Sequence, residues 1–181
     1  MLFEAVSFAA DAHKGQYRKG TPVPYIVHPV SVMRILLTHG ASEPLACAGV
    51  LHDTVEDTPV TVEELASRFS PEIASLVEAV SEPDKAAPWK ERKEHTLRSL
   101  RDCSLSVVLL SLSDKVDNAE TMALDRDLVG EALWGRFKTG KADQLWYYGG
   151  LLEVFRSRAQ GSDMERLVAR LAAAVDRAFA D

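Results

Sequence analysis

An apolar stretch, Leu45-Ala46-Cys47-Ala48-Gly49-Val50-Leu51, runs without a break into His52-Asp53-Thr54-Val55-Glu56-Asp57-Thr58, and this junction constrains the chain more than any other feature. Glu43-Pro44 opens a helix ahead of it, and the spacing predicts a helix over 44–57, with His52 stacked on Glu56 and Asp53 on Asp57. Adjacent residues sit about 100° apart around such a helix, so His52 and Asp53 can both flank one cation if the helix end points into a cleft. Three carboxylates within five positions repel one another, and near a helix C-terminus they also oppose the macrodipole. Water or a cation must offset that cost. A solvated acidic terminus is the plainer reading, and a metal site with spare carboxylates is the sharper one.

The rest of the chain reads as helix. Leu2, Phe3, Val6, Phe8, Ala9 and Ala12 follow helical spacing and lead into a basic, glycine-bounded loop from Lys14 to Gly20 that Pro22 and Pro24 keep extended. Pro29 suits the first turn of the next helix, which Gly40 ends, so that His28 stands where this helix begins. Thr61-Val62-Glu63-Glu64 resembles a capping box for a short helix to Phe69, and Ser70-Pro71-Glu72 starts another through Val80. Residues 82–89 carry two prolines and read as a mobile loop before a charged helix over 90–102. The run 105–112 is short enough to be helix or buried strand by periodicity alone, and the helical context favours helix. It ends on Ser113-Asp114-Lys115-Val116-Asp117-Asn118, so that two apolar helices each deliver acids at one end. Two or three further amphipathic helices follow, the last over 162–180. With no sustained period-two alternation beside hairpin turns, the expected fold is an all-α bundle of roughly eight to ten helices.

At 181 residues and 46% hydrophobic, the chain fits a single domain with a continuous core. A formal charge of −6 argues against a general nucleic-acid or membrane-surface binder, so an anionic ligand needs a dedicated pocket. Cys47 and Cys103 lie in apolar contexts without a CxxC or secretory frame, as expected of free thiols in a reduced, cytoplasmic protein. No basic start precedes an apolar run, and no apolar stretch approaches ~20 residues, so neither a signal nor a span is expected.

Three segments supply candidate metal ligands: His28, the pair His52-Asp53, and Asp114. Two imidazoles and two carboxylates suit manganese, iron, zinc or another divalent transition ion without choosing among them. Singly, His28 reads equally well as a residue of a helix start and Asp114 as a cap or ion-pair partner. Together they are harder to dismiss.

Four ordered blocks carry a resemblance to a known family: AHKGQYRKGTPVPYIVHP from Ala12 to Pro29, GVLHDTVEDT from Gly49 to Thr58, FSPEIASLVEAVSE from Phe69 to Glu82, and LSLSDKVDNAETM from Leu110 to Met122. With these the chain, over about residues 3–158, resembles the HD-domain metal phosphohydrolases, and closely the hydrolase domain of the RelA/SpoT family with its small stand-alone alarmone hydrolases. The resemblance implies that His28, His52, Asp53 and Asp114 ligate one ion, commonly manganese. It makes Glu56 and Asp57 the catalytic pair that positions and activates the attacking water. It places Arg18 and Lys19 at the guanine nucleotide, Asn118 at its sugar, and Tyr147 or Tyr148 at the wall of the same pocket. The activity it implies is hydrolysis of the 3′-pyrophosphate of guanosine tetra- or pentaphosphate (ppGpp or pppGpp), giving GDP or GTP and pyrophosphate, with no synthetase domain in the chain. The partner is then a guanine nucleotide, with monomer and homodimer both open.

The family usually reads Asp-Arg-Leu-His-Asn where this chain has Asp114-Lys115-Val116-Asp117-Asn118. Lysine removes a planar five-donor fork, and Asp117 adds an anion near a polyphosphate site, so the substrate is more open than the metal. Lys90, Arg92, Lys93 and Arg98 could supply phosphate contacts instead. The rival readings are an HD phosphohydrolase for another nucleotide, such as NADPH or a nucleoside phosphate, and a nucleotide-binding sensor without turnover. The aromatic group Trp134, Phe137, Trp146, Tyr147 and Tyr148 reads as core before it reads as a stacking surface.

Overall fold

Prolines and hydroxyl side chains set many of the helix starts. Ser70, Thr61 and Ser104 each accept a hydrogen bond from the amide three residues on, and Pro44 and Pro71 occupy first turns where an amide proton is not needed. The computed structural model describes residues 1–82 and 85–180. Its elements are α1 (Leu2–Ala12), α2 (Val27–Thr38), α3 (Glu43–Leu51), α4 (Thr54–Asp57), α5 (Val62–Arg68), α6 (Pro71–Val80), α7 (Trp89–Asp102) and α8 (Leu105–Val129), then a 3-10 turn (Gly130–Arg136), α9 (Lys141–Ala159) and α10 (Met164–Phe179). Among the described residues there is no strand, only an isolated bridge between Tyr17 and Pro24, as an all-α bundle requires. None of the described helices is long and apolar enough to cross a membrane.

Every residue from Leu45 to Leu51 is buried, because a helix that is apolar all round has no face to give to water. It packs on α1, α2, α6 and α8. Gly49 permits its approach to α2, since a Cβ there would run into the Leu36 side chain and come within 3.5 Å of the Met33 backbone. Around α3 lies one apolar cluster, built from α1, α2, α3, α5 and α6. A second cluster joins α8, the 3-10 turn, α9 and α10. The two interlock: Leu110 of α8 belongs to the first and Ile35 of α2 to the second.

Two expectations about the helices are corrected. The predicted 44–57 helix is broken, with α3 ending at Leu51 and α4 starting at Thr54. The cause is local, because the His52 ring takes the Gly49 carbonyl at 2.9 Å and the Thr54 hydroxyl donates to the Leu51 carbonyl at 2.7 Å. A continuing helix would give those carbonyls to the amides of Asp53 and Val55. Second, Asp114 does not stand at a helix end. The run from Leu105 continues through the polar cluster as a 25-residue helix, closed by Gly130 at φ +62°, so Asp114, Asp117 and Asn118 project from its middle. The segment expected as a mobile loop includes Pro83 and Asp84, which lie outside the described residues.

Candidate metal centre and adjoining cleft

The second residue of α2, the break after α3 and the middle of α8 face one another across the junction of the two clusters. His28 Nε2 lies 3.5 Å from Asp53 Oδ2 and 3.2 Å from Asp114 Oδ1. His52 Nε2 lies 3.1 Å from Asp53 Oδ2 and 3.8 Å from Asp114 Oδ1. Atoms that share one ion through bonds of about 2.0–2.2 Å stand at such separations. His28, His52 and Asp114 form a group able to hold a metal, and Asp53 stands against both rings. His52 Nε2 is buried with no hydrogen-bond partner among the described residues, while its Nδ1 is engaged by Gly49. A buried imidazole nitrogen that is left open and faces two carboxylates is what a divalent metal ion needs, so the donor set fits.

Electrostatics agree. Burial opposes protonation of His52, yet the charges of Asp53 and Asp114 outweigh it and push the ring up to about 9. Burial likewise opposes ionisation of Asp114, but Lys115 and the two imidazoles hold its carboxyl well below the usual range. The space between the rings therefore favours positive charge.

Neighbours fix the candidate ligands. The Tyr25 hydroxyl donates to Asp53 Oδ2 at 2.6 Å. Lys115 donates to Asp114 Oδ2 at 2.6 Å, and Asn118 donates to Asp114 Oδ1. Asp117 Oδ2 is 2.6 Å from His28 Nδ1. Tyr25 and Asp117 were not singled out as site residues by sequence, although Asp117 lies one turn beyond Asp114 on the same helix face and could have been found that way.

A cavity of about 460 Å³ opens over these residues. Glu56 and Asp57 line it, together with Lys85, Arg92, Lys93, Lys115 and Lys138. Burial and then the Asp53 charge raise the Glu56 carboxyl above its ordinary value. Lys85 reaches the Glu56 carbonyl and stands 3.0 Å from Asp57 Oδ1. Of the four cations expected to meet phosphate, Arg92 and Lys93 line this cavity, both paired with Glu82, whereas Lys90 sits over the Trp146 ring at 5.4 Å.

A second cavity of about 330 Å³ shares Tyr25, Lys93, Lys115, Asn118 and Tyr147 with the first. Arg18, Lys19, Tyr147 and Tyr148 all line it, with Trp89, Phe137 and Gln144. The loop after α1 reaches it by folding back on itself rather than staying extended, with Arg18 N–H bonded to the Val23 carbonyl at 2.8 Å and Tyr25 N–H to the Gln16 carbonyl at 2.9 Å. Arg18 then donates to Asn118 Oδ1 at 3.0 Å, and Lys19 lies over the Phe137 ring. Tyr147 and Tyr148 are core residues as well as walls, only 4% and 5% exposed, so the two readings of the aromatic group are not exclusive. His13 is buried against Gln16 and Tyr25.

Known proteins are similar to this chain in sequence and in fold. A frog (Xenopus tropicalis) guanosine-3′,5′-bis(diphosphate) 3′-pyrophosphohydrolase, MESH1, is 41% identical over 121 residues, covering 65% of this chain and 67% of the relative. The bifunctional (p)ppGpp synthase/hydrolase SpoT of Escherichia coli K12 is 35% identical over 127 residues, but the match spans only 18% of that longer protein. Among solved structures, lmo0812 of Listeria monocytogenes EGD-e superposes with a TM-score of 0.76 at 32% identity, covering 85% of this chain and 99% of its own. A metazoan ortholog of SpoT that hydrolyses ppGpp superposes at 0.74 with 25% identity, covering 98% and 93%. The HD domain pattern itself matches residues 5–132, which include all four candidate ligand positions, and the chain belongs to the HD-domain family.

Proposed function

We propose that the protein is a metal-dependent hydrolase that removes the 3′-pyrophosphate of ppGpp or pppGpp, with manganese as its ion. The observation that carries this reading is the adjacency of the two cavities: a charged chamber over the four candidate ligands shares Tyr25, Lys93, Lys115, Asn118 and Tyr147 with an aromatic and basic one. The first suits a diphosphate and the second a nucleoside. The 3′-pyrophosphohydrolases described above supply the substrate class.

His28, His52, Asp53 and Asp114 would hold the ion. When bound, it supplies Lewis-acid stabilisation of phosphoryl charge and makes water acidic enough to attack at neutral pH. Glu56, with its raised affinity for a proton and its place on the cavity wall, is the base that accepts one from the attacking water. Asp57, held by Lys85, orients that water. Arg92, Lys93 and Lys115 bring positive charge to the leaving diphosphate, and Lys115 keeps its proton because Asp114 outweighs the effect of burial. Arg18 offers its guanidinium plane to the base, Lys19 its ammonium to phosphate, and Asn118 its amide to the sugar, with Tyr147 and Tyr148 closing the far wall.

The test is pyrophosphate release from ppGpp by metal-stripped protein, with and without manganese, beside an Asp53→Ala control. Manganese-dependent release that the control lacks supports the proposal. Metal binding without release from ppGpp, but with turnover of NADPH or a nucleoside phosphate, would reject the alarmone substrate while keeping the site.

A further inference from the structure

His28 is held between two carboxylates of one helix. Its Nε2 faces Asp114 Oδ1 at 3.2 Å, and its Nδ1 meets Asp117 Oδ2 at 2.6 Å. Asp114 and Asp117 are three positions apart on α8, so both project from one face and grip opposite edges of the ring. The His28 side chain is 1% exposed, which leaves no solvent to complete either nitrogen.

A metal ligand must present an unprotonated nitrogen to the ion, so the other ring nitrogen has to carry the proton and needs an acceptor. His52 finds its acceptor in the neutral Gly49 carbonyl at 2.9 Å. His28 has a charged one. We propose that Asp117 is a positioning residue of the metal centre, accepting the Nδ1 proton of His28 so that Nε2 is fixed as the ligand atom and made more basic.

The arrangement also explains the departure at this position, where the resemblance leads one to expect histidine. Among the described residues, Asp117 lines neither cavity, so its carboxylate is turned to the ring and not to the path of an anionic substrate. The expected conflict between an added anion and a polyphosphate therefore does not arise. On its other side, Arg170 of α10, bound through both Nε and Nη2 to Glu120, lies near enough to feel the Asp117 charge.

The inference rests on the metal-centre reading above, and its test uses manganese(II) alone, without nucleotide. Asp117→Asn and Asp117→Leu are close in size to aspartate, but only asparagine keeps an acceptor oxygen. Free manganese is titrated against metal-stripped wild type and both variants, and cobalt(II) is added separately to read the ligand field by visible absorption. Asp117→Leu is expected to bind manganese about 10–100-fold more weakly and to shift the cobalt bands. Asp117→Asn should recover much of both. Where the leucine variant does not fold, Asp117→Ala takes its place with the same expectation. Affinity and cobalt spectrum unchanged in the variant without an acceptor, or asparagine no better than leucine, would overturn the role of Asp117. If wild-type protein itself bound no metal, the metal-centre reading would fall first, so the two failures are distinguishable.

Discussion

Arg18 and Asn118 meet through a 3.0 Å hydrogen bond although one hundred residues separate them. Asn118 in turn donates to Asp114, so the basic loop after α1 is tied to the face of α8 that carries the candidate ligand Asp114. The residues proposed for nucleotide recognition and for metal ligation thus share one chain of contacts.

Removing the guanidinium should act on binding first. Hydrogen bonds to charged groups contribute about 1.5–3 kcal/mol, so Arg18→Ala is expected to raise KM for ppGpp roughly ten- to a hundredfold while kcat changes far less. Steady-state kinetics decide it, and a fall in kcat at constant KM would contradict the assignment.

Glu56→Gln should leave metal and nucleotide binding in place and cost about 10²–10⁴ in turnover, because only the proton-accepting carboxylate is lost. Parallel manganese titration and pyrophosphate release measure both halves. A variant as active as wild type would remove Glu56 from the mechanism.

Gly49 serves packing and chemistry at once, since its missing Cβ admits α2 and its carbonyl holds His52. Gly49→Ala is expected to destabilise the fold by about 1–3 kcal/mol in urea denaturation and to weaken manganese binding with it. Wild-type stability in that variant would mean that α2 and α3 separate without cost.

Burial tends to raise the Glu82 carboxyl, but Lys93 and Arg92 outweigh it and hold it below its ordinary value of 4.5. The stability this gives is fully present above 4.5 and is lost as pH falls through the lower folded value. Thermal melts taken from neutral to acid pH should therefore fall less steeply for Glu82→Gln than for wild type in that window. Melting curves that stay parallel would show that the pairing carries no net stability.

Much of this was legible in the sequence because the signals were local. Hydroxyl and proline caps gave the starts of α5 and α6, and unbroken apolar residues gave α3 as a buried helix. The candidate ligands could be chosen because histidine and acid clusters on apolar helices have few other uses. What escaped was set by side chains competing for backbone groups or by distance in sequence. The break at His52 depends on a ring and a hydroxyl taking the Gly49 and Leu51 carbonyls, which periodicity does not register. Tyr25 reaches Asp53 across 28 positions and Asp117 reaches His28 across 89, and no spacing rule links such pairs. A polar cluster after an apolar run reads as a helix stop, which would put Asp114 at an end, whereas α8 continues to Val129 and packs along α10.

The two interlocking apolar clusters give the centre between them a mechanical meaning. His28, His52 and Asp53 extend from elements of the first, while Asp114 extends from the long helix on which the second is built. An ion held by all four would add a cross-link between two halves otherwise joined by side-chain packing and by hydrogen bonds such as Arg18 to Asn118. Its binding energy would then be felt as resistance to unfolding, about 2.7 kcal/mol at a free concentration one hundred times its Kd. Melting temperature should climb with manganese in wild type and stay flat in Asp53→Ala. Scarcity of the ion would thus thin out the folded population as well as slow its turnover.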